Sequence, residues 1–200
     1  MYRVAVAVSG RGSNLAALLQ SLGPGAPAQV AVVMSHTPDA GGLALARASG
    51  VPTVVFGDPA DPGPWLAVLA AYRVDLLVLA GYIKLIPAEV VRAWSGRIIN
   101  IHPALLPQYG GPGMYGIRVH RAVLAAGATE SGATVHLVDE EYDRGSILAQ
   151  ARVPVRPDDS AEQLAERVLA VEHQLLPAAV LKAAQAGKPV PFSFEMEPVE

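Results

Sequence analysis

Asn100 and His102 stand two residues apart, at the end of an apolar run predicted as the strand Arg97–Ile101 and just before Pro103. Along an extended chain, residues i and i+2 face the same way, so the amide and the imidazole can converge while Ile101 packs inward. An amide donor beside an imidazole suits one task in particular, holding a carbonyl oxygen as it becomes an oxyanion. A carboxylate near the ring would raise its pKa and fix its orientation. Asp143 is the candidate, in the acidic turn Asp139-Glu140-Glu141-Tyr142-Asp143-Arg144-Gly145, where Gly145 gives the turn freedom. Asp139, Glu140 and Glu141 compete for the same part.

A second constellation, Ser9-Gly10-Arg11-Gly12-Ser13-Asn14, leaves an apolar run and enters a helix-compatible one. Glycines allow close backbone approach to a ligand, and a helix N-terminus offers free N–H groups and a dipole that favours an anion. Ser13 and Asn14 add side-chain donors. The spacing is neither Gly-x-Gly-x-x-Gly nor a P-loop, which disfavours dinucleotides and triphosphates and leaves a single phosphate as the fitting ligand. Of the other histidines, His36 reads as a loop or cap residue, His120 as the start of a helix and His136 as part of a strand. His173, beside Glu172, could line a pocket. No pair has metal-ligand spacing, so no metal is expected.

These groups need a scaffold. Val4–Val8, Val30–Met34, Thr53–Phe56, Leu76–Ala80 and Ile98–Ile101 read as strands buried on both faces. Leu15–Leu22, Gly42–Ser49, Trp65–Tyr72 and Pro87–Trp94 carry apolar residues at helical spacing, with Pro87 as a first-turn proline and Gly96 past the helix end. Strand and helix in alternation predict an α/β fold with a doubly wound, mostly parallel sheet. The stretch 102–117, with three prolines and four glycines, reads as loop, followed by a helix over Arg118–Ala126. Ala133–Val138 and Ile147–Val155 predict an antiparallel strand pair, and Ser160 caps a long helix reaching Ala186. Residues 1–187 therefore read as one domain and 188–200 as a loose, Pro-rich tail.

Composition narrows the function. The chain has 200 residues, 52% of them apolar, no cysteine and a formal charge of -3, with a pI near 5.9 and mean hydropathy of +0.33. Disorder is excluded, and so are a thiol nucleophile, a disulfide framework and a Cys-based zinc site. Without a run of Lys and Arg, a nucleic-acid partner is not expected. No stretch reaches 18 uninterrupted apolar residues, so no membrane span is expected. Met1-Tyr2-Arg3-Val4-Ala5-Val6 reads straight into a strand without a cleavage site, and the expected location is the cytoplasm.

Ser-Gly-Arg-Gly-Ser-Asn at 9–14, Leu-Ala-Gly-Tyr at 79–82, Asn-Ile-His-Pro-Ala-Leu-Leu-Pro at 100–107 and the turn 139–145 occur in that order. The set resembles the folate-dependent formyltransferases, which have a Rossmann-like fold, from about residue 3 to residue 187. The Asn-x-His-Pro string is particular to that superfamily, and the Ser-Gly-x-Gly-Ser-Asn turn points to its purine-biosynthetic branch. The resemblance implies formyl transfer from 10-formyltetrahydrofolate, a co-substrate, to the amine of glycinamide ribonucleotide. It implies Asn100, His102 and Asp143 as the catalytic trio: a protonated His102 and the Asn100 amide stabilise the oxyanion, and Asp143 holds His102 charged and helps relay protons through water. Gly12, Ser13 and Asn14 match a phosphate cradle, and Glu172 a contact to the glycinamide. Ile83, Lys84, Leu85 and Ile86, with Asn100, Asp139, Glu140, Glu141, Tyr142 and Asp143, match the folate pocket.

The sequence departs from relatives in three places. Gly57–Trp65 lacks an Arg, the loop Tyr109–Gly116 is longer, and Arg144 stands where glycine is usual. The expected partners are small molecules only, for a monomer or homodimer. Two alternatives are a sugar-nucleotide N-formyltransferase, against which the monophosphate-type turn counts, and a non-catalytic nucleotide-binding module, against which the joint presence of Asn100, His102 and Asp143 counts.

Overall fold

Val4, Val6 and Val8 alternate with Ala5 and Ala7, and the two sets enter different hydrophobic cores, one on each face of a central sheet. The computed structural model describes residues 1–195. In chain order the elements are β1 (Tyr2–Ala7), α1 (Ser13–Ser21), β2 (Ala28–Ser35), α2 (Gly41–Ala48), β3 (Thr53–Val55), α3 (Pro62–Ala71) and β4 (Leu76–Leu79). There follow α4 (Ala88–Ala93), β5 (Ile98–His102), α5 (Ile117–Ala125), β6 (Glu130–Leu137), β7 (Ile147–Pro154) and α6 (Ala161–Ala186). The strands form one sheet in the order β3-β2-β1-β4-β5-β6-β7. The first five are parallel to their neighbours, and β6 and β7 add an antiparallel extension on β5.

This is the α/β architecture expected from the alternation of short Val/Ile/Leu runs with helical periods. Strand order reverses between β1 and β4, and in such sheets the crevice beyond the strand ends at that point takes ligands. One core holds Leu15, Leu18, Val123, Leu164 and Leu175 under α1, α5 and α6; the other holds Trp65, Leu69, Ile86, Val90 and Trp94 under α3 and α4.

Several element ends differ from expectation for local reasons. Helix α3 starts at Pro62, three residues before Trp65, because the Asp61 side chain accepts from the Gly63 N–H at 2.9 Å and a proline fits the first turn. Asp61 and Pro62 of the segment 57–65 thus serve a helix start. Pro87 is the residue before the first turn of α4, its carbonyl accepting from Val90 and Val91. Strand β6 begins at Glu130 because Glu130–His136 pairs with β7. Ser160 and Gln163 form the reciprocal capping box that their spacing announces. The segment after α6 carries no helix or strand up to Glu195, but it is not loose: the Phe192 N–H donates to the Leu148 carbonyl at 2.9 Å, and Phe192 and Phe194 pack on the core. Residues 196–200 of the expected tail lie outside the described residues. Among the described residues no helix is long and apolar enough to cross a membrane.

Candidate active site

Beyond the C-terminal ends of β1, β4 and β5 lies a cavity of about 1010 Å³. It reaches from the turn after β1 to the loops after β4 and β6, and α5 and α6 close one side. The volume lies at the upper end of the usual range for small-molecule sites.

The first wall is the turn 9–14. Gly12 precedes α1 with φ of +84°, and a Cβ there would lie 2.6 Å from the Gly42 Cα. The Gly42 N–H donates to the Gly10 carbonyl at 3.0 Å, so the start of α2 is packed onto this turn. Gly12 is therefore demanded by packing, which its presumed closeness to an anion had not suggested. No side chain caps α1, and its first-turn N–H groups remain available. Asn14 differs from expectation. It is 7% exposed, and its Nδ2 donates to Glu172 Oε2 at 2.7 Å while Oδ1 has no partner. The amide is committed to Glu172, which burial pushes up to about 7 against the opposing pull of that hydrogen bond. The sequence offered no sign that Asn14 and Glu172 touch.

The second wall is the end of β5. Asn100 and His102 both line the cavity, as the i, i+2 rule requires. His102 is 3% exposed; its Nε2 donates to the Tyr109 carbonyl at 2.8 Å, and its Nδ1 lies 3.5 Å from Asp143 Oδ2. Of the four acidic candidates, Asp143 is the one that reaches it. Burial lowers the His102 pKa and outweighs Asp143 and the Tyr109 carbonyl, which raise it. The expectation of a ring held charged is corrected: at neutral pH the buried imidazole is neutral. Asp143 itself sits at φ of +57° and accepts from the Gly111 N–H at 2.9 Å. Its burial works to raise the carboxyl, yet His136, His102 and Gly111 together hold it below the usual carboxylate range. The loop 109–116 thus supplies a backbone partner to each member of the His102–Asp143 pair.

His136 belongs here although its sequence context made it look like an ordinary strand residue. Its Nε2 accepts from Asn100 Nδ2 at 3.0 Å and lies 3.5 Å from Asp143 Oδ1, while its Nδ1 donates to the Leu137 carbonyl. The β5–β6 register sets Asn100 opposite His136, and only that register reveals the contact. His120 is the other omission, buried on α5 and pushed down to about 4 by burial, with His102 adding to the effect.

The third wall is apolar and open. Ile83 and Leu85 are exposed at the mouth, Ile86 is buried, and the Ile83 N–H donates to Ser9 Oγ at 3.2 Å, tying this loop to the first turn. Asp139, Glu141, Tyr142 and Asp143 line the cavity from the other side. Glu140 does not; it turns outward to Arg92 at 3.3 Å. Arg144 is exposed beside Glu141. Among the described residues no cluster of His, Asp and Glu could hold a metal ion.

Comparison with known proteins places this arrangement among relatives. The family model described as formyl transferase matches residues 2–180. The chloroplastic phosphoribosylglycinamide formyltransferase of Arabidopsis thaliana is 48% identical over 181 residues, covering 86% of this chain and 62% of that protein. The chain thus spans about three fifths of the length of the first curated relatives it matches. The phosphoribosylglycinamide formyltransferase of Haemophilus influenzae is 38% identical, over 90% of this chain and 86% of that one. The crystal structure of phosphoribosylglycinamide formyltransferase from Anaplasma phagocytophilum superposes with a TM-score of 0.86 at 40% identity, over 92% of this chain and 87% of that one.

Proposed function

The chain belongs to the formyl transferase family, and from that premise we propose that it moves a formyl group from 10-formyltetrahydrofolate to the amine of N1-(5-phospho-D-ribosyl)glycinamide. The observation that carries this reading is the meeting of Asn100, His102 and Asp143 midway between an anion-type turn and an apolar mouth. The names of the relatives support the choice of acceptor. In this reading residues 1–187 are the formyltransferase unit.

The phosphate is held by the open N–H groups at Gly12 and Ser13, with Asn14 and Glu172 beside the glycinamide. The flat donor lies between Ile83–Ile86 and the turn 139–143, with Lys84 at its charged end. The amine lone pair attacks the formyl carbon, the C–N bond forms and the carbonyl electrons move to oxygen. An Asn100 N–H not engaged by His136 stabilises that oxyanion. His102 begins neutral, and the negative charge growing beside it favours taking the proton that the attacking amine sheds. Nδ1 is the atom free to accept, since Nε2–H is engaged by Tyr109, and the resulting imidazolium is balanced by Asp143. When the tetrahedral centre collapses, the bond to the folate nitrogen breaks, and the imidazolium returns its proton to that nitrogen through water held by Asp143, which leaves His102 neutral again.

The test is to incubate the chain with both substrates and identify products by mass spectrometry. Formylated glycinamide ribonucleotide and deformylated folate in equal amounts are expected. Formyl released only as formate, or left on the folate, would refute the reading.

A further inference from the structure

Three imidazoles stand at the cavity, and two of them are held in place by hydrogen bonds within the protein. His102 has Tyr109 and Asp143, and His136 has Asn100 and Leu137. His120 lines the same cavity at 4% exposure, yet its Nδ1 is buried without a partner and no group among the described residues hydrogen-bonds its ring. Buried polar groups in folded proteins are almost always paired, so an unpaired nitrogen on a ring that lines a ligand cavity calls for a partner that a ligand can supply.

Its place decides which ligand. Helix α5 packs on α6, and its Val123 enters the core shared with α1 and α6, on the face of the sheet that carries Asn14 and Glu172. The apolar mouth belongs to the other face, where Ile86 packs with α4. His102 is also close enough to oppose charge on the His120 ring. His120 therefore lies on the side of the cavity that the proposed function gives to the acceptor, near the reacting end. A neutral imidazole carries one donor and one acceptor, which matches an amide and offers little to an anion.

We propose that His120 is a binding residue for the acceptor, hydrogen-bonding the amide of the glycinamide moiety. This rests on the reading of the cavity as a formyl-transfer site. The step is binding alone, with no bond made or broken by His120.

The experiment measures affinities of glycinamide ribonucleotide, ribose 5-phosphate and 10-formyltetrahydrofolate, by calorimetry, for the parent, His120→Phe and His120→Gln. In His120→Phe the acceptor should bind roughly tenfold more weakly, the worth of one neutral hydrogen bond to a buried group. Ribose 5-phosphate, which lacks the glycinamide, and the folate should bind as to the parent. His120→Gln keeps a donor and an acceptor and should recover part of the loss. Thermal stability of His120→Phe should be unchanged or raised, because no protein hydrogen bond is lost; if that variant does not fold, His120→Leu takes its place. Unchanged acceptor affinity overturns the proposal, as does a parallel loss for ribose 5-phosphate or for folate. A parent that binds no glycinamide ribonucleotide overturns the proposed function, and this inference with it.

Discussion

On the side of the cavity that the proposed function gives to the acceptor, Asn14 and Glu172, each 7% exposed, meet at 2.7 Å although 158 residues separate them in the chain. On the side it gives to the formyl donor, Ile83, Leu85 and Tyr142 are 47%, 45% and 37% exposed, and the ion pairs nearby, Arg92–Glu140 and Glu141–Arg144, lie at the surface. The first side is a buried polar lattice with fixed geometry; the second is a loose apolar jaw. A small polar ligand is discriminated by the exact complement of donors and acceptors it meets, so its site must be rigid before it binds. A large flat ligand gains mainly from covered area, which exposed apolar side chains provide on contact. Between them stands the Asn100–His102–Asp143–His136 junction, whose members hold one another.

Changes at the junction should separate chemistry from both sides. Asn100→Ala should lower kcat by about 10²–10³, the usual loss of one preorganised oxyanion donor. Affinity for the acceptor should be kept, and steady-state kinetics beside calorimetry check this. Equal loss in binding would make Asn100 a structural member of the lattice.

Glu172→Gln should have the next largest effect, and it should be of opposite sign for stability and function. In the folded chain Glu172 keeps its proton up to about 7, whereas an unfolded Glu loses it near ~4.3. The folded state thus binds more protons between these values, and stability falls as pH rises through that window. Replacing the carboxylate by an amide should leave stability at pH 4 nearly unchanged and raise it at pH 8, by up to about 3 kcal/mol. Acceptor binding should weaken. Thermal melts across pH decide the first point, and a variant less stable at pH 8 contradicts it.

The smallest effect belongs to the jaw. Glu140→Gln breaks an exposed pair worth about 0.2–1 kcal/mol at most. Melting temperature and turnover should match the parent within error, and a loss of folate affinity would mean that Glu140 takes part in the pocket despite facing Arg92.

Legibility followed the same division. The sheet, the long capped helix and the pairing of Asn100 with His102 were readable because period-2 and period-3.6 patterns and cap residues are local. The Asp143 contact was readable only as one of four acidic options, since a turn's path depends on strands it joins. His136 and the Asn14–Glu172 bond were hidden in register and in helix packing, which no local window contains. Gly12 was noticed for the right position and the wrong reason, because the approach of Gly42 from α2 is a tertiary fact. The charge of His102 was misread because burial, which the sequence does not state, outweighs its neighbouring carboxylate.

That balance is the centre of the account: a buried ring, neutral at rest, which Asp143 brings within reach of a proton. It is tested most directly by NMR titration of His102 in the parent and in Asp143→Asn. The expected result is a pKa below ~6.5 in the parent and lower still in the variant, which keeps its shape and loses most of its turnover. A His102 that titrates at or above ~6.5 in the parent, or identically in both proteins, would contradict it.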